Sequence, residues 1–549
     1  MGKNLLEQGT RVLGLMISMV AVLGVPSEGS TFLNEPPGAP SWLQTVDIDR
    51  VIYVDQTHSQ SSDSNPGSQI YPLKTIRAAT QRAMENHARG FSTKVFVSPG
   101  IYREQIKMDF TRRKNDPVII IESIEPGEVI ISGSDVWTAW EKSGAKGLFV
   151  HHWPHKWGLV PYPVKWEGQV KLEPIVRRKE MVAVDGELMK QVLSYEELVE
   201  GTFFISEGTS QIFLFPSGKR KNAPLSVEVA VRSNLFQISG KKGIVVKGLT
   251  FQHAASGIQG AAVWLVDSSG ILVEDCEFRL NNWTGLTLHN VDHVTTRRNR
   301  SIENGGAGMV AWKTKSYLSE DDETSGNNLR GVKGKFLYWA VGGYKVMRTH
   351  NAIFRRHQAK KNHTGGLWFD SDNSNILIED ALWCGNLKHG LFVEASQGPF
   401  TIQRNTIVNN RELGVRILYA QNVHFANNII VNNGGPQIQL RGKEVFLVDN
   451  WETGEDIQIT VSGYILEGNT IESADAVIDI DSSPEFFSSF RSRHNRWYKP
   501  VGRGPFKIGP TQLSFMEWKL RTSQDLDSTF GKTYANSSST EKNCHYAIE

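Results

Sequence analysis

Cysteine is nearly absent from this chain of 549 residues: only Cys276, Cys384 and Cys544 occur, spread over nearly half of it. An odd, dispersed set argues against a disulfide framework, and Cys276 and Cys384, in strand-like apolar segments, read as buried side chains. No CxxC or HExxH spacing points to zinc. An excess of one charge is missing as well. Lys and Arg number 60 against 58 Asp and Glu, a formal net charge of +2, so there is no electrostatic reason to expect nucleic acid or an anionic membrane as partner. Long apolar runs are confined to Val12–Val25, which follows Lys3 and Arg11. That stretch is short for a membrane span and reads as a signal peptide over residues 1–29, with Ser27, Gly29 and Ser30 near the cleavage point; an uncleaved anchor is the rival. The expectation is a secreted or periplasmic protein with no span after cleavage.

Glycine, by contrast, is abundant, at 50 residues, and it is periodic. Gly285-Leu-Thr-Leu, Gly308-Met-Val-Ala, Gly343-Tyr-Lys-Val, Gly366-Leu-Trp-Phe, Gly390-Leu-Phe-Val, Gly414-Val-Arg-Ile and Gln437-Ile-Gln-Leu recur every 23 or 24 residues, with one longer interval from Gly308 to Gly343. Such a period is too short for two helices and suits one coil of a parallel β-solenoid. A second strand per coil ends on Asn or Asp (Asp275, Asn299, Asp380, Asn405, Asn427, Asn469), where stacked side chains can hydrogen-bond along the solenoid. The expected architecture is therefore all-β, a parallel β-helix with capped ends. Its parts are a cap and first coils (47–136, with a helix from Ile76 to about Asn86), an inserted β-rich domain (137–226), the main coils (227–484) and a C-terminal cap and tail (485–549). The Trp- and His-rich section Trp137–Trp166 either packs that insertion or overhangs the groove. Lys313–Lys335, inside the longer interval, reads as a polar loop and a candidate lid.

A period of two within each glycine-led strand decides which side chains face out. The first and third residues after the glycine are apolar throughout and should fill the core. The second and fourth point outward: Thr287, Val310, Lys345, Trp368, Phe392, Arg416, Gln439 in one column, and His289, Trp312, Met347, Asp370, Glu394, Leu418, Arg441 in the other. A surface mixing Trp and Phe with acids and cations suits a glycan, whose C–H faces stack on aromatics while its hydroxyls bond charged groups. A loop or the insertion packed over those aromatics would account for them too.

Asp370 and Glu394 share one column on successive coils, so their backbones should lie one strand spacing apart, roughly 4.8 Å. Retaining glycosidases hold their two carboxyl groups about 5–5.5 Å apart. Close carboxylates repel each other's ionisation, leaving one protonated to serve as acid and one ionised to attack. Met347 and Leu418 flank the pair, a narrow polar site that suits a short, end-on substrate.

The segments His363-Thr-Gly-Gly-Leu-Trp-Phe-Asp370 and Gly390-Leu-Phe-Val-Glu-Ala-Ser-Gln-Gly-Pro399 resemble the paired active-site coils of right-handed β-helix glycoside hydrolases, the β-xylosidase type and its fucosidase- and xylanase-like relatives. The resemblance extends through the N-terminal cap, the insertion and a C-terminal segment around Ser514–Lys519, Asp525 and Asp527. It implies a right-handed helix, Asp370 as nucleophile and Glu394 as general acid/base, with Trp368, Lys345, His363 and Arg416 lining the subsite. Gln397 touches substrate or forms a corner. Asp372 and Asn373 orient Asp370 or close a turn, the turn being favoured. His289 and Trp312 lie where an extended glycan would reach. The implied partner is a polysaccharide or oligosaccharide. No cofactor is required, although calcium stays open.

Two rivals remain. A polysaccharide lyase would bind an acidic polymer through Lys345, Arg416 and Arg441, with Asp370, Asp372 and Glu394 as calcium ligands. A non-catalytic glycan-binding solenoid would share the fold without the chemistry.

Overall fold

The computed structural model describes residues 46–111, 116–144, 147–161, 170–217, 226–500, 502, 504–534 and 544. The expected signal peptide (1–29) lies outside these residues, as does Trp166. Among the described residues no helix is long and apolar enough to cross a membrane.

The 23-residue period folds as read: the chain winds into a parallel β-helix. Each coil contributes a glycine-led strand, a second strand and a third, and each pairs in parallel with its counterpart one coil on. Leu286, Met309, Tyr344, Leu367, Leu391, Val415 and Ile438 stack in register along one interior column, and all are fully buried. A solenoid core of this kind is one continuous cluster, running here from Ile52 to Trp518.

Both ends are closed. The helix Ile76–Ala88 is capped by Thr75, whose side chain accepts from Ala78 N–H, and it buries Ile76, Ala79 and Ala83 on the first coils. At the other end the helix Phe515–Thr522 starts with a reciprocal Ser514–Glu517 capping box and buries Trp518. Asp525 accepts from the indole N–H groups of Trp497 (3.1 Å) and Trp518 (2.9 Å), fixing the cap to the last coils.

Three expectations need correction. The cysteines are not all unpaired: Cys384 and Cys544 form a disulfide, with Cys276 left buried and free. A separation of 160 residues hid the pair, since spacing alone cannot show that a tail returns to a coil. The polar run from Lys313 is not a loop either. Met309–Glu320 and Glu323–Ser325 are strands in regular register, and their charged residues occupy outward and corner positions. The chain leaves the coil only later, through the short helix Gly334–Ala340. Finally, Asp275, Asp380 and Asn427 are corner residues at positive φ. Asn299, Asn405 and Asn469 do stack as expected, Asn428 takes the place read for Asn427, and a further ladder runs on another turn. Asn405, Asn428, Asn469 and Asn495 form one ladder; Asn281, Asn304, Asn327, Asn362, Asn386, Asn410 and Asn433 form a second.

The insertion forms a four-stranded and a five-stranded sheet around Phe149, Trp153, Val182, Phe203 and Leu214. Trp137, Trp140, His151, Trp153, His155 and Trp157 stack on one another within it, so these aromatics pack the insertion. Leu172 and Val176 press on Phe336, Leu337 and Ala340, bracing the Gly334–Ala340 helix against the solenoid.

Candidate active site

The floor of the site is the outer face of four successive strands: Gly342–Arg355, Gly365–Asp370, His389–Ser396 and Leu413–Ala420. Lys345, Trp368, Phe392 and Arg416 align on consecutive rungs. One step further along the strands stand Met347, Asp370, Glu394 and Leu418. Phe369 and Val393, between those columns, are fully buried in the interior, which turns Asp370 and Glu394 outward. The Ser371 N–H donates to the Glu394 carbonyl at 3.1 Å, tying the two rungs together directly behind the carboxyl groups. Ser371 and Ala395 then take positive φ, bending the chain at the same place on each coil, as Asn290 and Lys313 do earlier.

Each carboxyl group has its own partners. Lys345 Nζ pairs with Asp370 Oδ2 at 2.9 Å and also lies 3.8 Å from the centre of the Trp368 ring. The Trp368 indole N–H donates to Glu394 Oε2 at 3.2 Å. Burial, then the charge of Asp370, push the Glu394 carboxyl up to about 8, against the pull of Lys345, Arg416 and the indole N–H. At neutral pH Glu394 therefore carries a proton.

Trp368 and Phe392 stack at 5.4 Å and are only 3% exposed. They are not open to solvent because the Gly334–Ala340 helix lies over them: Tyr338 and Leu337 line a crevice with Trp368, His389 and Phe392. A cavity of about 380 Å³ opens beside it, lined by Tyr338, Phe392, Glu394, Arg416 and Leu418. Lys388 pairs with Glu412 at 2.5 Å and with the Tyr338 hydroxyl, holding the helix wall down.

The opposite wall is a hairpin, Phe446–Asp449 with Asp456–Ile459. It packs Val448 and Ile459 on Ala395 and stacks Phe446 on Tyr419 at 4.8 Å. From there it reaches back to earlier coils. Arg348 bonds Asp449, the Trp451 N–H donates to Asp372 Oδ2 at 2.8 Å, and Glu452 meets both Lys315 and His350.

The remaining expected residues are distributed as follows. Trp312 and His289 contact each other at 4.3 Å on the Asp370–Glu394 column, Trp312 two rungs before Asp370 and His289 three. Gln397 lies past the strand end and donates to Asp372 Oδ1 at 3.2 Å. Asp372 itself is fully buried, spent on Gln397, His350 and Trp451, so it does not join Asp370 and Glu394. Among the described residues no group of three or more His, Cys, Asp or Glu could hold a metal ion. His363 is exposed at the corner before its strand and lines neither cavity. The reading missed His389, which is buried against Phe392 and Gly365 and which burial drives down to about 3, leaving it neutral. It also missed Tyr338 and the hairpin. His389 was visible as the one ring directly before a repeat glycine. Phe446-Leu-Val-Asp-Asn-Trp-Glu-Thr-Gly-Glu-Asp-Ile-Gln-Ile459 carries a turn signal between two β-prone arms, but it falls after the last periodic marker.

Residues 324–451 and 384–504 match the family described as "Right handed beta helix region". The solved complex of XylC with xylose is similar at a TM-score of 0.64 and 14% identity, over 88% of this chain and 86% of that one. The fold is a right-handed parallel β-helix. The A-module of the Azotobacter vinelandii mannuronan C-5 epimerase AlgE6 is similar at a TM-score of 0.48 and 14% identity, over 84% of this chain and 95% of that one. A structure described as "Glycoside hydrolase" follows at 0.45 and 11%, over 90% and 99%. No curated protein sequence matches the chain.

Proposed function

We propose that this chain is a retaining glycoside hydrolase, with Asp370 as nucleophile and Glu394 as general acid/base. One observation carries the reading: two carboxyl groups occupy adjacent outward rungs in a walled groove, one ion-paired and the other held protonated. Rungs are spaced at roughly 4.8 Å, close to the separation that double displacement requires.

The chemistry follows from the partners. The Asp370 carboxylate, steered by Lys345, attacks the anomeric carbon while Glu394 gives its proton to the departing glycosidic oxygen. The resulting glycosyl ester removes the charge of Asp370. With that charge gone, a main cause of the raised Glu394 value disappears, so Glu394 becomes a better base for the water that cleaves the ester. Trp368, donating to Glu394, fixes its orientation through both steps.

A panel of aryl glycosides, with xylosides first because XylC was captured with xylose, identifies the sugar. Product NMR should find retained configuration; inversion would remove the nucleophile role. Glu394→Gln should lower turnover about a thousandfold or more and still bind ligand. A variant that turns over normally would sink the enzymatic reading and leave a binding solenoid.

A further inference from the structure

Three cations stand on the groove-facing columns: Lys345, Arg416 and Arg441. Lys345 is paired with Asp370 at 2.9 Å and Arg441 with Asp479 at 2.6 Å. Arg416 has no such partner. Among the described residues it makes no ion pair or hydrogen bond, and its Nε is buried without an acceptor. Its guanidinium carbon sits 5.0 Å from the centre of the Phe392 ring, a contact that occupies the ring face and leaves the in-plane N–H donors unused. Arg416 lines the 380 Å³ cavity together with Glu394 and Tyr338.

The neighbouring acids cannot serve. Glu412 is taken by Lys388, Asp370 by Lys345, and Glu394 is protonated in the resting site. Counting Lys345 and Arg416 against the single Asp370 charge leaves one positive charge in the groove. An unpaired, partly desolvated guanidinium is costly unless something anionic arrives, and its fork matches a carboxylate or sulfate in two parallel bonds.

We propose that Arg416 is the specificity-determining residue of this groove. It receives an anionic group of the glycan, a uronic carboxylate or a sulfate ester, on the part of the substrate seated over the Glu394 and Arg416 coils. This rests on the glycosidase reading of the same groove, and it narrows the substrate class from glycans in general to acidic ones.

The test is a binding measurement that needs no turnover. Glucose and glucuronate, galactose and galacturonate, and galactose and galactose 6-sulfate are titrated calorimetrically into the full chain and into Arg416→Leu and Arg416→Lys. The native protein should prefer the acidic member of at least one pair by about ten- to a hundredfold, with affinity falling as salt rises. Carboxylate and sulfate sources are separated by which pair responds. Arg416→Leu should bring the acid-to-neutral ratio close to one, and Arg416→Lys should recover part of it. A native ratio near one, or a preference that survives Arg416→Leu in a protein with unchanged circular dichroism, overturns the proposal. Acid preference without hydrolysis of any glycoside would keep the Arg416 role and sink the hydrolase. Hydrolysis of neutral glycosides with a ratio of one would do the reverse.

Discussion

Two faces of this solenoid use the same rung spacing in opposite ways. On the second-strand face, Glu274, Arg297, Glu320, Arg355 and Glu379 lie on consecutive coils in alternating sign. Arg297 meets Glu274 at 2.5 Å and Arg355 meets Glu379 at 2.8 Å. The adjoining corner repeats the pattern, with Arg298 on Asp275, Arg356 on Asp321 and Arg404 on Asp380. On the groove face, two carboxyl groups, Asp370 and Glu394, occupy adjacent rungs, and a cation next to them has no anion. A stacked scaffold can alternate charges easily, and this one does so on the next stretch of each coil. Setting acid beside acid runs against stability, which is what the proposed catalytic role would require of this groove.

The largest effect expected from breaking the contrast is catalytic. In the proposed mechanism Glu394 acts as an acid only while protonated, so kcat/KM should be flat through neutral pH and fall tenfold per pH unit above about 8. Asp370→Asn removes the neighbouring charge, so the Glu394 carboxyl should then titrate lower, as followed by NMR of the side chain. An unchanged value would mean burial alone holds the proton.

Next in size is a transplant of the groove's arrangement onto the ladder. Arg355→Glu would set three carboxylates on successive rungs beside Glu320 and Glu379, and should cost about 2–3 kcal/mol in denaturant unfolding with activity retained. Glu394→Gln should do the opposite, stabilising the fold on the order of 1 kcal/mol near neutral pH. The sign follows from linkage: a carboxyl raised in the folded state favours folding below its unfolded value near 4.3, and that stability drains as pH climbs to about 8. A Glu394→Gln protein no more stable than the native chain at pH 8 would show that the groove bears no electrostatic strain.

How far the sequence foretold this contrast depends on whether a feature repeats. The outward columns, including Lys345, Trp368, Asp370, Glu394 and Arg416, follow from a period of two laid on a period of 23, because an interior of Leu, Val, Ile and Phe admits one register only. Departures from the period carried no such signal. Where the coil is interrupted, polar residues of a regular strand carry the composition of a loop, while nothing in the sequence marks the helix that covers Trp368 and Phe392. The 446–459 hairpin and the Cys384–Cys544 bond escaped for the same reason: both depend on which distant coil a non-repeating segment folds back upon.

That hairpin provides the smallest test. His350 lies between Asp372 and Glu452, and Lys315 shares Glu452 at 2.5 Å. Burial pulls the imidazole down, but the two carboxyl groups outweigh it, and His350 is raised overall. Its contribution is therefore complete below its unfolded value near 6.5 and is lost as pH rises through the higher folded value. The hairpin should resist limited proteolysis at about pH 6 and open more readily at about pH 9, by less than about 1 kcal/mol because Glu452 is partly exposed. His350→Gln should flatten that dependence while leaving the alkaline limb of kcat/KM in place. If the same substitution erased the kinetic limb as well, the limb would report wall closure rather than Glu394, and the groove's paired acids would lose their clearest signature.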